Sequence, residues 1–92
     1  GLSHGYGQEA FVQGITYEGE YQRGQPHGKG KFTYDDGSVK IVRLEANQDV
    51  GQGVRWSADR AQAWELQDGK RGRSISLEEA AQIAARIGLP VP

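Results

Sequence analysis

A chain of 92 residues is long enough for one small domain and too short for two. Only 36% of it is hydrophobic while 14 residues are glycine, so a large aliphatic core is excluded and a few big side chains must supply a thin one. The absence of cysteine excludes disulfides and thiolate metal sites, and a net charge of −1 gives no basic face for nucleic acid. No apolar run approaches the roughly 18 residues needed to cross a bilayer, and no secretory signal is visible. A start at Gly1 rather than Met is what a fragment or a processed product would show.

Along the chain, "HGYG" begins at His4, "HGKG" at His27 and "VGQG" at Val50, a constant spacing of 23 residues. Gly14 falls on Gly37 and Phe11 on Tyr34 at the same offset. The third unit lacks the histidine, and "QDGKRGRSI" reads as a shortened fourth return of "QRGQPHGKGKF". Each unit reads as a hairpin. A first strand is expected near Glu9–Val12 and a second over Ile15–Tyr21, where "TYEGEY" alternates. Residues two apart in a strand share a face, so Tyr17, Gly19 and Tyr21 look one way and Glu18 and Glu20 the other. Over Lys29–Tyr34 the same rule puts Gly30, Phe32 and Tyr34 on one face. Gly19 and Gly30 leave room there for rings of adjacent strands to lie over the backbone, and ring burial offsets the weak strand propensity of glycine. "DDGS" (Asp35 to Ser38) signals a tight turn. Further strands are expected at Val39–Leu44, Gly53–Ser57, Gln62–Gln67 and, briefly, Arg73–Ile75.

"SISLEEAAQIAARIGLPVP" breaks the pattern. Ser76 followed by Glu79 reads as a capping box. Leu77, Ala80, Ala81, Ile83, Ala84 and Ile87 recur at helical spacing as one apolar face. Gly88 and Pro90 end the helix, predicted from Leu77 to Ile87. A terminal unit has no neighbour to cover its apolar side, so the helix is read as a cap, with Trp56 and Trp64 expected against it.

The stretch "YEGEYQRGQPHGKGKFTYDDGS" resembles the MORN repeat (membrane occupation and recognition nexus): Tyr-Glu-Gly-Glu-aromatic, a glycine, His-Gly-x-Gly, alternating aromatics and an Asp-Gly turn. Residues 17–38 carry the resemblance, residues 4–16 look like half of a preceding repeat, and residues 39–75 are degenerate copies. The resemblance implies a mainly β fold, an elongated antiparallel sheet of tandem hairpins over residues 1–75, closed by the helix and tail of residues 76–92. It also implies a non-catalytic interaction or scaffolding module, intracellular, cytoplasmic or peripheral to a membrane.

Other chemistry is weakly signalled. "GYGQEA" lacks the strand and helix that a dinucleotide fingerprint needs, and "GQPHGKGK" has Phe32 where a phosphate loop needs Ser or Thr. His4 and His27 occupy equivalent repeat positions, which favours a structural role over metal binding. Glu18 and Glu20 are read as a solvated outer face, and no nucleophile, base and orienter can be assembled. No catalytic, cofactor-binding or metal residue is assigned. The residues expected to meet a protein partner are Tyr17, Tyr21, Phe32 and Tyr34, since aromatic anchors dominate interfaces. The alternative, recruitment by acidic phospholipids, would draw on Arg23, Lys29, Lys31, Lys70, Arg71 and Arg73. The half repeat at the N-terminus leaves an unfinished strand edge, so further repeats or a homodimer through that edge are the expected partners.

Overall fold

The computed structural model describes residues 5–92. Seven antiparallel strands form one sheet in chain order: β1 (Gly5–Ala10), β2 (Thr16–Gln22), β3 (Gln25–Thr33), β4 (Val39–Glu45), β5 (Gln48–Trp56), β6 (Ala63–Gln67) and β7 (Lys70–Ile75). One helix, α1 (Leu77–Ile87), follows. The molecule measures 41 × 25 × 21 Å.

The 23-residue period is a period of backbone conformation as well as of sequence. Two-residue turns with positive φ join β2 to β3 at Arg23-Gly24, β4 to β5 at Ala46-Asn47 and β6 to β7 at Asp68-Gly69. Such turns match the twist of the strands they join. The longer connections each contain a positive-φ residue too, at Gly14, Gly37 and Arg60. Arg60 stands where the earlier units have glycine. Its guanidinium offsets the strain by donating to the carbonyls of Gly37 (2.8 Å), Ser57 (3.2 Å) and Ala58 (2.9 Å).

Within His-Gly-x-Gly the two glycines have different tasks. Gly28 has φ +95°, and the β2–β3 register shifts opposite it, between Gly19 and Tyr21. A shift of the same size recurs at Ile41/Arg43, and one smaller by a residue at Trp64/Leu66. Each is a bulge, in which the partner strand carries extra residues and the local twist deepens. The bulge turns Glu20 inward, so that its carboxylate accepts from the Lys29 amide at 2.8 Å. The reading of Glu20 as a solvated residue is thereby corrected, while Glu18 stays outside and pairs loosely with Lys31 at 3.6 Å. The second glycine, Gly30, makes room: a Cβ there would run into the Tyr17 ring. His27 has the structural role expected of it, its Nδ1 accepting from the Ala46 amide at 3.2 Å. His4 lies outside the described residues.

The two faces of the sheet carry separate cores. On one, Tyr17, Phe32, Val42, Leu44 and Leu66 are buried, with Phe11, Ile15, Tyr21 and Tyr34 packed around them. On the other, Val39, Ile41, Val54, Trp56, Ala63 and Ile75 meet Ala80, Ile83, Ala84 and Ile87 of α1. The helix starts with Ser76 Oγ accepting from the Glu79 amide (3.0 Å) and ends at Gly88 in the left-handed region. The expected capping box is half formed, because the Glu79 carboxylate binds Arg73 instead. Lys29 Nζ and an Arg43 guanidinium nitrogen donate to the carbonyls of Gly88 (3.2 Å) and Arg86 (2.9 Å), satisfying groups a helix end leaves free.

Several expectations are corrected. The first strand is Gly5–Ala10 rather than Glu9–Val12, because Phe11 donates to Ile15 and Val12–Gly14 form a 3-10 turn. The strand β5 begins at Gln48, five residues before the expected Gly53, since its partner β4 continues to Glu45. Tyr34 lies just past the end of β3. Trp56 packs under the helix, but Trp64, its neighbour-strand counterpart one residue out of phase, points to the opposite face. Leu77 is 48% exposed and does not join the buried helix stripe. The helix lies on the face of β4, β5 and β6, not across the outer edge of β7. That edge is guarded by Lys70, Arg71 and Arg73, charges of the kind that discourage strand addition.

Candidate functional site

The strand β1 has only β2 beside it, and its residues are exposed apart from a half-buried Gly7. Its outer row of backbone donors and acceptors has no partner strand among the described residues. Tyr6, 58% exposed, stands on this strand. Edge backbone and an exposed ring are the elements of strand addition.

The face away from the helix brings together all four expected partner-binding rings, but they are not equivalent. Tyr17 is fully buried and Phe32 nearly so, 5.0 Å apart between centroids. Tyr17 also stacks on Phe11 (6.1 Å) and meets Tyr21 edge-on (5.3 Å), while its hydroxyl donates to the Glu20 carbonyl at 2.7 Å. Burial raises its pKa well above that of an ordinary tyrosine. These two rings are core, and their surface is already spent. Tyr21 and Tyr34 are half-buried and still reach solvent. The Tyr21 hydroxyl donates to Glu9 Oε1 at 2.9 Å, and desolvation with that bond pushes its pKa up to about 12.

Beyond the rings, the same face changes character. Cations lie over aromatic rings three times: Lys40 over Phe32 (4.7 Å), Arg55 over Tyr34 (4.4 Å) and Arg71 over Trp64 (4.8 Å). A cleft of about 400 Å³ opens among Tyr34, Lys40, Arg55, Leu66, Gly69 and Arg71. Sequence reading missed Lys40, Arg55 and Trp64 as site residues. The signal was present in the alternation of Lys40 with Ile41 and of Arg55 with Trp56, which sends each charge to the face opposite the helix.

The six cations of the lipid alternative do not form one patch. Arg23 lies in the β2–β3 turn. Lys29 holds the helix end and Lys31 sits beside Glu18. Arg73 is tied to Glu65 (3.3 Å) and Glu79 (2.5 Å), which raise its pKa. Only Lys70 and Arg71 remain near one another without a carboxylate at salt-bridge distance among the described residues. No helix of the described residues is long and apolar enough to cross a membrane.

The MORN repeat family model matches residues 17–39. The matched segment spans β2, its turn and β3, the hairpin in which bulge glycine, spacer glycine and rings all occur together. Residues 17–39 thus form a MORN repeat, and the third and fourth units repeat its hairpin geometry with altered side chains. No curated protein matches the chain.

Proposed function

We propose that the chain is a non-catalytic protein-interaction or scaffolding module that docks through the outer edge of β1. The open, exposed edge of β1 carries this reading. At the opposite end of the sheet, β7 presents a row of cations, so the two edges are unlike and strand addition is favoured at β1. The occupant is an antiparallel strand, from a further repeat or from a second copy of the chain. MORN repeats are generally interaction or membrane-associated modules, which agrees with this use. An intracellular setting fits a chain without cysteine.

The test uses proline at two adjacent positions, Gln8 and Glu9, with sedimentation across a wide concentration range. Successive N–H groups of a strand point to opposite sides, so one of the two substitutions removes an outward donor and the other breaks pairing with β2. The outward one should reduce association and leave the melting temperature nearly unchanged. Association untouched by both variants would refute docking through this edge.

A further inference from the structure

We infer that the cleft on the helix-free face binds a carboxylate-bearing peptide segment of a partner protein, held by Arg55 and Arg71 beside Tyr34 and Trp64. The inference rests on the reading of the chain as a protein-interaction module and names the chemistry of a second contact. Phe32 pairs with Lys40, Lys40 with Arg55, and Arg55 with Trp64, so one cross-strand row reads aromatic, cation, cation, aromatic. Like charges directly opposite each other in adjacent strands destabilise a sheet. Lys40 is neutralised by Asp49 at 2.7 Å. Among the described residues, neither Arg55 nor Arg71 has a carboxylate at salt-bridge distance. Arg55 donates to Ser38 Oγ at 3.0 Å and otherwise lies over Tyr34. Other arginines are occupied differently: Arg43, Arg60 and Arg86 donate to carbonyl groups that fix the helix and a loop. The cleft thus holds three cations, with Asp49 on Lys40 and Asp36 reaching Arg55 only through the Ser38 hydroxyl, and an anion placed there would relieve the remaining repulsion.

The choice of anion follows from the walls. Planar guanidinium groups match a carboxylate bidentately. Each guanidinium already lies over a ring, 4.4 Å from the Tyr34 centroid and 4.8 Å from that of Trp64, which restrains it before a ligand arrives. The half-buried Tyr34 ring offers apolar surface for the residues flanking the acid. A membrane would respond to the whole facing surface, and the chain carries a net charge of −1. A short acidic segment needs only the cleft.

The probe is an acetylated, amidated pentapeptide alternating glutamate with leucine, added to the full ¹⁵N-labelled chain. The two indole N–H resonances are the readout, assigned through Trp64→Phe. The peptide should move the Trp64 resonance and leave Trp56, buried under the helix, in place. Replacing glutamate by glutamine in the peptide should abolish the shift. Arg71→Gln should weaken binding about tenfold or more, because a charge-assisted bidentate contact is lost from an exposed strand position. Three results overturn the inference: a glutamine peptide that shifts Trp64 equally, an Arg71→Gln chain that binds as tightly, or a Trp64 resonance moved by inorganic phosphate or by vesicles of phosphatidylcholine and phosphatidylserine but not by the peptide. Sedimentation of the same samples without peptide reports the β1 edge separately. An edge that fails to associate while the peptide still binds Trp64 would remove the edge reading and keep the cleft.

Discussion

Gly30→Ala is expected to cost about 2 kcal/mol, although it adds one methyl group in a strand. A Cβ at this position would stand 2.7 Å from the Tyr17 hydroxyl and 2.9 Å from Leu44 Cδ1, and closer still to the Tyr17 ring. Leu44 can rotate its methyl away. Tyr17 cannot yield: Phe11, Tyr21 and Phe32 enclose it and its hydroxyl is bonded to the Glu20 carbonyl. Overpacking of such a site costs about 1–3 kcal/mol. Displacing the ring would also forfeit a hydrogen bond of about 1 kcal/mol. Against these stands the conformational advantage of alanine over glycine, about 0.5–1 kcal/mol. The net of about 2 kcal/mol corresponds to a fall of roughly 8–16 °C in melting temperature for a domain this small. Circular dichroism melts would read it. Gly72→Ala is the control, because a Cβ there meets only the Glu65 carbonyl at 3.3 Å and φ is not positive. If both variants melt with the wild type, the ring does not depend on the missing side chain and the packing account fails.

Ile83→Ala should cost about 2–4 kcal/mol by opening a cavity between helix and sheet, since Ile83 is fully buried; equilibrium denaturation measures it, and a loss below 0.5 kcal/mol would mean a loosely seated helix. Truncation before Ser76 should shift tryptophan emission to the red through Trp56, and the shift should persist in a Trp64→Phe background; its disappearance there would put the wrong indole under the helix. Asp36 has its pKa lowered by hydrogen bonds from Ser38. Asp59 is lowered likewise by Ser57 and the Ala61 amide. A lowered pKa contributes stability above the unfolded value of about 3.9 that is lost as pH falls through the folded value, so Asp36→Asn should flatten the acid limb of a melting-temperature profile below about pH 4. At the alkaline end the sign reverses. Tyr21, raised to about 12, favours the fold below the unfolded value of about 10 and ceases to do so as pH rises through its folded pKa. Glu9→Gln should bring its ultraviolet titration to lower pH.

Much of this fold is legible in the sequence because the repeat makes local preference and packing agree. Helix limits coincide with Leu77–Ile87, since Ser76 and Gly88 have no other good conformational use there. The rings and their spacer glycines share a face by simple alternation. What escapes is whatever depends on a bulge. Nothing in "YEGEY" alone says that Glu20 will turn in to the Lys29 amide, because the cause is the positive φ of Gly28, eight residues on. The β1 limits escape for a related reason: Gln13 takes positive φ without being a glycine, and the 3-10 turn it builds replaces the end of the expected strand. The cationic cleft is a product of strand neighbours far apart in sequence. Lys40, Arg55 and Arg71 become one site only once register places them side by side.

The two cores lie on opposite faces and are also offset along the sheet. The ring core is centred on β2, β3 and β4, and the helix core on β4, β5 and β6. The strand β4 serves both: Val39 and Ile41 face the helix, Val42 and Leu44 face the rings. It is therefore a splice between two half-independent blocks. Amide exchange should be slowest in β4. Loss of the helix should reach the rings through the backbones of β4 and β6, the latter carrying Ala63 in one core and Leu66 in the other, and β1 can fray from β2 while the block under the helix stays closed. A partner that captures β1 would then stiffen the end of the molecule that has least to hold it.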